Sequence, residues 1–155
     1  MKGIMTKRLG RATQDPNTDI ATILDREKVQ IRGVFLTHLR FDHTAGFLDL
    51  PKDFPDFVSK DEPYANFRFF YHGDHLSGVD EIYNIDLAGG LELSPLGKSI
   101  DVFGDGSLLA ISASGHSKGQ IMYFVNGIEG QILVTGDACN TRYQFDTGVL
   151  PGDFE

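Results

Sequence analysis

The spacing of hydrophobic positions changes along the chain and predicts a helix first and strands afterwards. Apolar residues recur at i, i+3 and i+4 from Ile20, so an amphipathic helix with a polar cap is expected from about Thr18 to Lys28. The segment 31–38 has an unbroken apolar centre, which is typical of a buried strand. Residues 42–55 contain one glycine and two prolines and are interpreted as a loop.

Short strands dominate the pattern in the second half of the chain. A strand is predicted at Val58–Lys60, and Asp61-Glu62-Pro63 has the pattern of a helix start, since proline suits the first helical turn. Four more strands are expected at Ser99–Phe103, Ser107–Ser112, Gln120–Val125 and Gln131–Thr135. Asn126-Gly127, in the last connection, is a strong hairpin signal. An early helix and strand followed by hairpins indicates a mixed α/β sandwich.

Length and charge narrow the classes of protein that this pattern allows. The chain has 155 residues, which fits one domain over 1–155, with the basic residues 1–14 interpreted as a solvated tail rather than a targeting arm. A net charge of −8 argues against binding to nucleic acid, which requires a basic face. The chain also lacks the roughly 20 consecutive apolar residues of a membrane span. The single Cys139 excludes an internal disulfide and fits a reducing cytoplasm.

Chemically active residues are densest directly after the predicted strand 31–38. If the extended geometry continues, His38, Arg40 and Asp42 project to one side. His43 follows as the chain turns. Two imidazoles and a carboxylate in one small volume suit a first-row divalent metal, zinc above all. The residues themselves therefore indicate a candidate metal site at this strand end.

Two later segments have the same chemical character. His116 lies in the turn Ser114–Gly119 between two predicted strands, and an apolar strand ends in Asp137. Taken in order, the motifs resemble those of the metallo-β-lactamase superfamily of metal-dependent hydrolases. That family has H-x-H-x-D-H after a strand, a histidine in a G-H-[ST]-x-G turn, an aspartate in a G-D-A strand end, and a more distant histidine. The resemblance runs from about Thr18 to Thr141 and is strongest to the lactonase and esterase-like branches.

The resemblance implies a fold, a site and a reaction. The fold is α+β, an αβ/βα four-layer sandwich that is incomplete in this chain. The reaction is hydrolysis of an ester, lactone or related acyl bond in a small molecule by metal-activated water, with Asp42 orienting that water or taking its proton. The implied ligands are His38 and His116 for a first metal ion, Asp42 and His43 for a second, and Asp137 as a bridge.

Arg40 is a departure from the family pattern, because it stands where the family has its second histidine. A guanidinium group has no acceptor and does not lose its proton in proteins, so Arg40 cannot ligate a metal. The family's last histidine does not occur before Glu155. We therefore expect one ion, zinc or another divalent metal, held by Asp42, His43 and Asp137. Arg40 is expected to replace the charge of the first ion or to meet the substrate.

Other interpretations stay open. His38 and His43 are compatible with ordinary histidines at a strand end, with Asp42 as a cap. In a metal-free member of the same fold, Arg40 would pair with Asp42 or Asp137, and the protein would act in binding or assembly. The chain is also compatible with a fragment of a longer protein, since the family's four layers need strands before His38 and further elements after Asp137. The exposed edges of such a sandwich predict a homodimer or higher oligomer, in which a partner could supply a missing ligand.

Several residues outside these motifs give weaker signals. His72 and His75 have a spacing that would allow both to bind one metal ion, although exposed loop histidines are common. Cys139 is expected to be a buried, inert thiol. Lys118 and Arg142 could receive an anionic substrate. Phe67, Phe69 and Phe70 could form the wall of an apolar pocket.

Overall fold

The computed structural model describes residues 15–51, 53–63, 76 and 81–148, so the predicted tail 1–14 lies outside the described residues. Its helices are α1 (Ile20–Arg26), α2 (Phe41–Thr44) and α3 (Arg142–Thr147), with single 3-10 turns at Ala45–Asp49 and Gly136–Ala138. Its strands are β1 (Val34–Phe35), β2 (Asp56–Ser59), β3 (Ile82–Ile85), β4 (Leu91–Leu93), β5 (Gly97–Asp101), β6 (Leu108–Ser112), β7 (Ile121–Gly127) and β8 (Gly130–Val134). Among these residues, every helix is too short or too polar to span a bilayer.

Two sheets of different type form the described part of the molecule. β1, β2 and β3 lie side by side in a parallel sheet. β4 to β8 form an antiparallel sheet in which each strand pairs with the next one along the chain. Antiparallel neighbours of this kind need only short turns, whereas the parallel strands need long crossovers. The predicted mixed α/β sandwich is confirmed.

The main core lies between the two sheets and joins them close to the end of β1. Its buried residues come from both sheets and from the segment between β3 and β4: Ile85, Leu87, Ala110, Ile121 and Tyr123. The Tyr123 hydroxyl donates to the carbonyl of Leu36 at 2.9 Å, and the Ile121 N–H donates to the carbonyl of Thr37 at 2.9 Å. The chain that leaves β1 is therefore held directly against β7, which fixes the segment that carries His38.

The predicted first helix is confirmed, whereas the predicted loop at 42–55 is wrong in part. α1 confirms the helix, which begins after Asp19, whose carboxylate accepts from the Thr22 N–H at 2.9 Å. The loop at 42–55 was wrong in its first half, where α2 and a 3-10 turn lie. The cause is local, because the N–H groups of His43 and Thr44 both donate to the carbonyl of Arg40. The Thr44 hydroxyl donates to the same carbonyl at 2.9 Å and closes the turn.

Most of the predicted strands are confirmed with small shifts. β2 and β5 to β8 correspond to them, and the β7–β8 hairpin is present, with its turn at Ile128-Glu129, directly after Asn126-Gly127. The strand predicted over 31–38 is shorter, because only Val34 and Phe35 pair with β2. β3 and β4 were missed; both are short and partly exposed. Residues 61–63, where a helix start was predicted, are not helical, and the rest of that predicted helix lies outside the described residues.

Candidate metal centre

His38 is the most buried of the predicted site residues. Its side chain is fully buried, and its Nδ1 lies 3.1 Å from the hydroxyl of Thr37. Its Nε2 has no hydrogen-bond partner among the described residues and lies 3.9 Å from Oδ2 of Asp137. Burial, followed by the neighbouring His43, lowers the pKa of His38 to about 4. His38 is therefore a neutral imidazole near pH 7, with one nitrogen directed at the other site residues.

The short helix α2 brings His43 and Asp42 to the same place. The imidazole of His43 lies against that of His38, with 4.2 Å between the ring centroids. Its Nε2 lies 3.1 Å from Oδ1 of Asp137 and 3.8 Å from Oδ2 of Asp42. The Asp42 side chain is 52% exposed, so it lies at the solvent side of the cluster rather than inside it.

The turn between β6 and β7 supplies His116. The turn is closed by two hydrogen bonds, one from the Ala113 N–H to the Gln120 carbonyl at 2.9 Å and one from the Ser114 hydroxyl to the Lys118 carbonyl at 2.6 Å. Nε2 of His116 lies 3.1 Å from Oδ2 of Asp137. His116 thus reaches the cluster from the sheet opposite to that of His38.

Asp137 lies at the centre of the cluster, in the 3-10 turn that follows β8. Gly136 precedes it with φ of +51°, and a Cβ at that position would lie 2.9 Å from the Cβ of Thr37. The buried side-chain amide of Gln120 is oriented so that its oxygen accepts from the Asp137 N–H at 3.0 Å. The backbone of Asp137 is therefore fixed on both sides, which holds its carboxylate among the histidines.

Arg40 also lies inside the cluster. Its Nη1 contacts Nε2 of His116 and lies 3.8 Å from Oδ2 of Asp137. The side chain is 25% exposed. Its guanidinium group therefore stands beside the histidine and the carboxylate that the family resemblance assigned to a first metal ion, and its positive charge faces the Asp137 carboxylate.

Known proteins resemble the chain in both sequence and structure. No protein-family profile matches it. Protein artemis of Danio rerio is 27% identical over 144 residues, which cover 86% of this chain and 21% of that protein. A solved N-acyl homoserine lactone hydrolase, with the product N-hexanoyl-L-homoserine bound at its catalytic metal centre, superposes with a TM-score of 0.65 and 24% identity over 84% of this chain. A mutant of B. thuringiensis AiiA with N-decanoyl-L-homoserine at its active site has a TM-score of 0.65 and 23% identity over the same share.

This chain is a metallo-β-lactamase-fold protein. The fold class that the motifs implied is therefore confirmed. The chain spans 48% of the length of each of the two solved structures and about a fifth of the artemis protein. The similarity to the solved structures lies below 25% identity and shows the fold alone.

One group of donor atoms in this metallo-β-lactamase-fold protein is suited to a metal ion. His38, His43 and Asp137 each offer one ligand atom, and these atoms all lie within 4.8 Å of one another. Two imidazoles and a carboxylate suit zinc, iron, manganese or cobalt. The buried Nε2 of His38 fits such an ion, because a buried nitrogen without a hydrogen-bond partner is costly unless something else binds it. The sequence motifs predicted a single ion held by Asp42, His43 and Asp137, whereas the group in the structure contains His38 in place of Asp42.

The remaining candidates lie elsewhere. Cys139 is a free, half-buried thiol that donates to the Thr141 carbonyl at 3.1 Å. Lys118 is exposed, and Arg142 pairs with Asp146 at the surface, with 2.8 Å between Nε and Oδ2. The candidates outside the described residues are His72, His75, Phe67, Phe69 and Phe70.

Three residues that contact the segments carrying the site residues were missed in the sequence: Glu62, whose carboxylate accepts from the Leu39 N–H and the Ser117 hydroxyl, together with Gln120 and Gly136. Glu62 was assigned to a helix start, Gln120 to a strand start, and Gly136 was noted only as part of a motif. Each acts through contacts with residues far away in the chain, which local patterns do not reveal. A glycine directly before Asp137 was the one usable signal, since glycine is the residue that accepts a positive φ without cost.

Proposed function

We propose that this chain is a metal-dependent hydrolase that cleaves an ester, lactone or related acyl bond of a small molecule with the help of one divalent ion, zinc first among the candidates. The observation that supports the proposal is the convergence of donor atoms from His38, His43 and Asp137, with the buried Nε2 of His38 directed at the group. The acyl substrate class is supported by the solved structure that holds N-hexanoyl-L-homoserine at its catalytic metal centre.

Each residue of the cluster has a distinct role in the proposed reaction. The buried His38, together with His43 and Asp137, would hold the ion. A divalent ion in this position supplies a Lewis acid that polarises an acyl carbonyl and lowers the pKa of a water molecule. The Asp42 carboxylate lies at the solvent side, 3.8 Å from His43, where it would act as general base and take a proton from the attacking water.

Arg40 supplies a fixed positive charge in this proposal. Its guanidinium group lies 3.8 Å from the Asp137 carboxylate, and arginine side chains carry a permanent positive charge in proteins. A carbonyl oxygen that becomes negatively charged in the transition state is stabilised by such a preorganised donor. Arg40 would therefore bind the developing oxyanion of the substrate at the position that the family resemblance assigns to the first metal ion.

Metal content of the purified protein, with substitution of Asp137, is the direct test. Wild-type protein is expected to contain about one equivalent of Zn, Mn or Fe by elemental analysis, and added zinc should raise its thermal stability. Asp137→Asn should lose both the metal and any turnover of an aryl ester or an N-acyl homoserine lactone. The matched control is Asp86→Asn, which changes an exposed acid paired with Lys60 and should alter neither. Less than about a tenth of an equivalent of metal, without stabilisation by zinc, refutes the proposal.

A second candidate function is a binding or assembly module that keeps the fold without catalysis. The observation that favours it is the contact of Arg40 with His116 and Asp137, because an arginine can neutralise a carboxylate that a metal would otherwise bind. Metal-dependent turnover that Asp137→Asn abolishes would exclude this alternative. Full thermal stability in a chelator, with no turnover in any metal, would support it.

We also propose that two copies of the chain associate through β8. Within the described sheet, β8 is the last strand and pairs with β7. Ile132 on this strand is 61% exposed and Val134 is 42% exposed, and an exposed apolar edge strand favours pairing with another chain. Light scattering at micromolar concentration should give a dimer, and Ile132→Lys should give a monomer. A monomeric wild-type chain would contradict the proposal.

A further inference from the structure

A buried carboxylate joins the two loops that carry the site histidines. Glu62 is 2% exposed. Its Oε1 accepts from the Leu39 N–H at 3.1 Å, and Leu39 lies between His38 and Arg40. Its Oε2 accepts from the Ser117 hydroxyl at 2.6 Å. Because Ser117 directly follows His116, the one carboxylate is bonded to both strand-end segments of the site.

The second oxygen of Glu62 makes a further bond within the same turn. Oε2 also accepts from the Gly119 N–H at 3.1 Å. A Cβ on Gly119 would lie 2.2 Å from the backbone nitrogen of Glu62, so the two backbones are packed together without room for a side chain. The Glu62 N–H in turn donates to the carbonyl of Ser59 at 3.1 Å, which attaches the assembly to the end of β2.

The hydrogen bonds to the Glu62 carboxylate are strong enough to hold their donors in fixed positions. A buried carboxylate must be satisfied by donors, and bonds to a charged acceptor are stronger than bonds between neutral groups. Both loops are irregular backbone, without ladder hydrogen bonds of their own at Leu39 or Ser117. The shared acceptor therefore contributes to the separation between the loops, together with the bonds from Ile121 and Tyr123 to the segment before His38.

We propose that Glu62 is a positioning residue for the metal centre. It holds the segment 38–40 and the turn 114–119 at the separation at which His38 and His116 both face Asp137. The proposal rests on the proposed metal-binding function. Groups that are hydrogen-bonded to metal ligands set the orientation of those ligands, and their removal weakens metal binding about 10- to 100-fold. Glu62 acts on the same geometry one step further away, through the Leu39 backbone and the Ser117 side chain. Replacement of Glu62 should therefore change metal binding beyond any change in stability.

The experiment compares Glu62→Gln with wild type in the full chain. Glutamine keeps the size of the side chain but offers one acceptor oxygen and places an NH₂ group against N–H and O–H donors. Zinc affinity is measured by competition with a chromogenic chelator, and the ligand field by the visible spectrum of the Co²⁺-loaded protein. Glu62→Gln should bind zinc at least ~10-fold more weakly and show a shifted Co²⁺ spectrum. Ile111→Ala, a fully buried core change on β6, should lose stability while keeping both signals.

The possible outcomes separate this proposal from the proposed function. A wild-type chain without zinc affinity refutes the metal site itself. Zinc binding by wild type, with the same affinity and Co²⁺ spectrum in Glu62→Gln, overturns the positioning role alone. If Glu62→Gln does not fold, Ser117→Ala removes the 2.6 Å bond and leaves the carboxylate in place, with Ser99→Ala, whose hydroxyl donates to Leu91, as its matched control. Weaker zinc binding in Ser117→Ala alone supports the role, and equal binding in both variants overturns it.

Discussion

A methyl group added at Gly136 should disturb the site more than the same change elsewhere in the molecule. Gly136 has φ of +51°, and its new Cβ would lie 2.9 Å from both Cβ and Oγ1 of Thr37. The left-handed conformation costs an L-residue about 1–2 kcal/mol. Thr37 cannot easily retreat, because its carbonyl accepts from the Ile121 N–H, so the overlap adds about 1–3 kcal/mol. Gly136→Ala should therefore lower the free energy of unfolding by about 2–5 kcal/mol.

The measurement is urea unfolding followed by circular dichroism, with Gly104→Ala as the matched control. Gly104 has φ of +76° and no atom within 4 Å of an added Cβ, so it reports backbone strain without overlap. Its loss should be about 1–2 kcal/mol. Zinc affinity is the second readout. It should fall in Gly136→Ala, because the overlap pushes apart the residues that precede His38 and Asp137, and it should not change in Gly104→Ala.

Equal losses of stability in the two variants would refute this reasoning, since overlap with Thr37 would then contribute nothing. Wild-type zinc affinity in Gly136→Ala would show that the contact between Thr37 and Gly136 does not set the position of Asp137. Thr37→Ala in the Gly136→Ala background offers an internal check. It removes two of the three atoms nearest to the new methyl group and should restore part of the lost stability.

Three other predictions follow from single contacts. Arg40→His should raise the metal content per chain, because it removes a cation beside Asp137 and adds a ligand; an unchanged content in elemental analysis would contradict the position of Arg40 in the cluster. Tyr123→Phe removes the bond to the Leu36 carbonyl and should cost about 1–2 kcal/mol in urea unfolding, whereas Tyr83→Phe at the surface should stay within about 0.5 kcal/mol. Treatment with a chelator should lower the melting temperature of wild type but not of Asp137→Asn, and equal shifts in a thermal melt would argue against a metal at this residue.

The sequence predicted which residues meet, although His116 and Asp137 lie far from His38 in the chain. The prediction came from the resemblance, because the motifs follow one another in the order found in the metallo-β-lactamase superfamily, and the site of that family draws on all of them. The carboxylate of Asp137 lies within 4 Å of a nitrogen atom of each of three histidines, His38, His43 and His116. The motif order, rather than any one motif, carried the information.

The supports of the site could not be predicted in the same way. Glu62 stands beside a proline, and locally that pattern is typical of a helix start. Its role comes from donors on two distant loops, which are defined only when the sheets pack. The helix α2 was missed for a different reason, because it is a single turn and too short to show a helical hydrophobic period. The hydrogen bonds of Glu62 depend on the fold more than on residue type.

The charge around Asp137 provides the strongest physical argument for one ion rather than two. Oδ1 of Asp137 faces His43, whereas Oδ2 faces His116 and Arg40 and lies 3.9 Å from Nε2 of His38. A second divalent ion would add positive charge beside the guanidinium group of Arg40 without adding a carboxylate, and like charges in a partly buried site repel strongly. A single ion held by His38, His43 and Asp137 would leave Arg40 in place beside His116. A wild-type chain that binds two ions would therefore require the Arg40 side chain to leave the cluster.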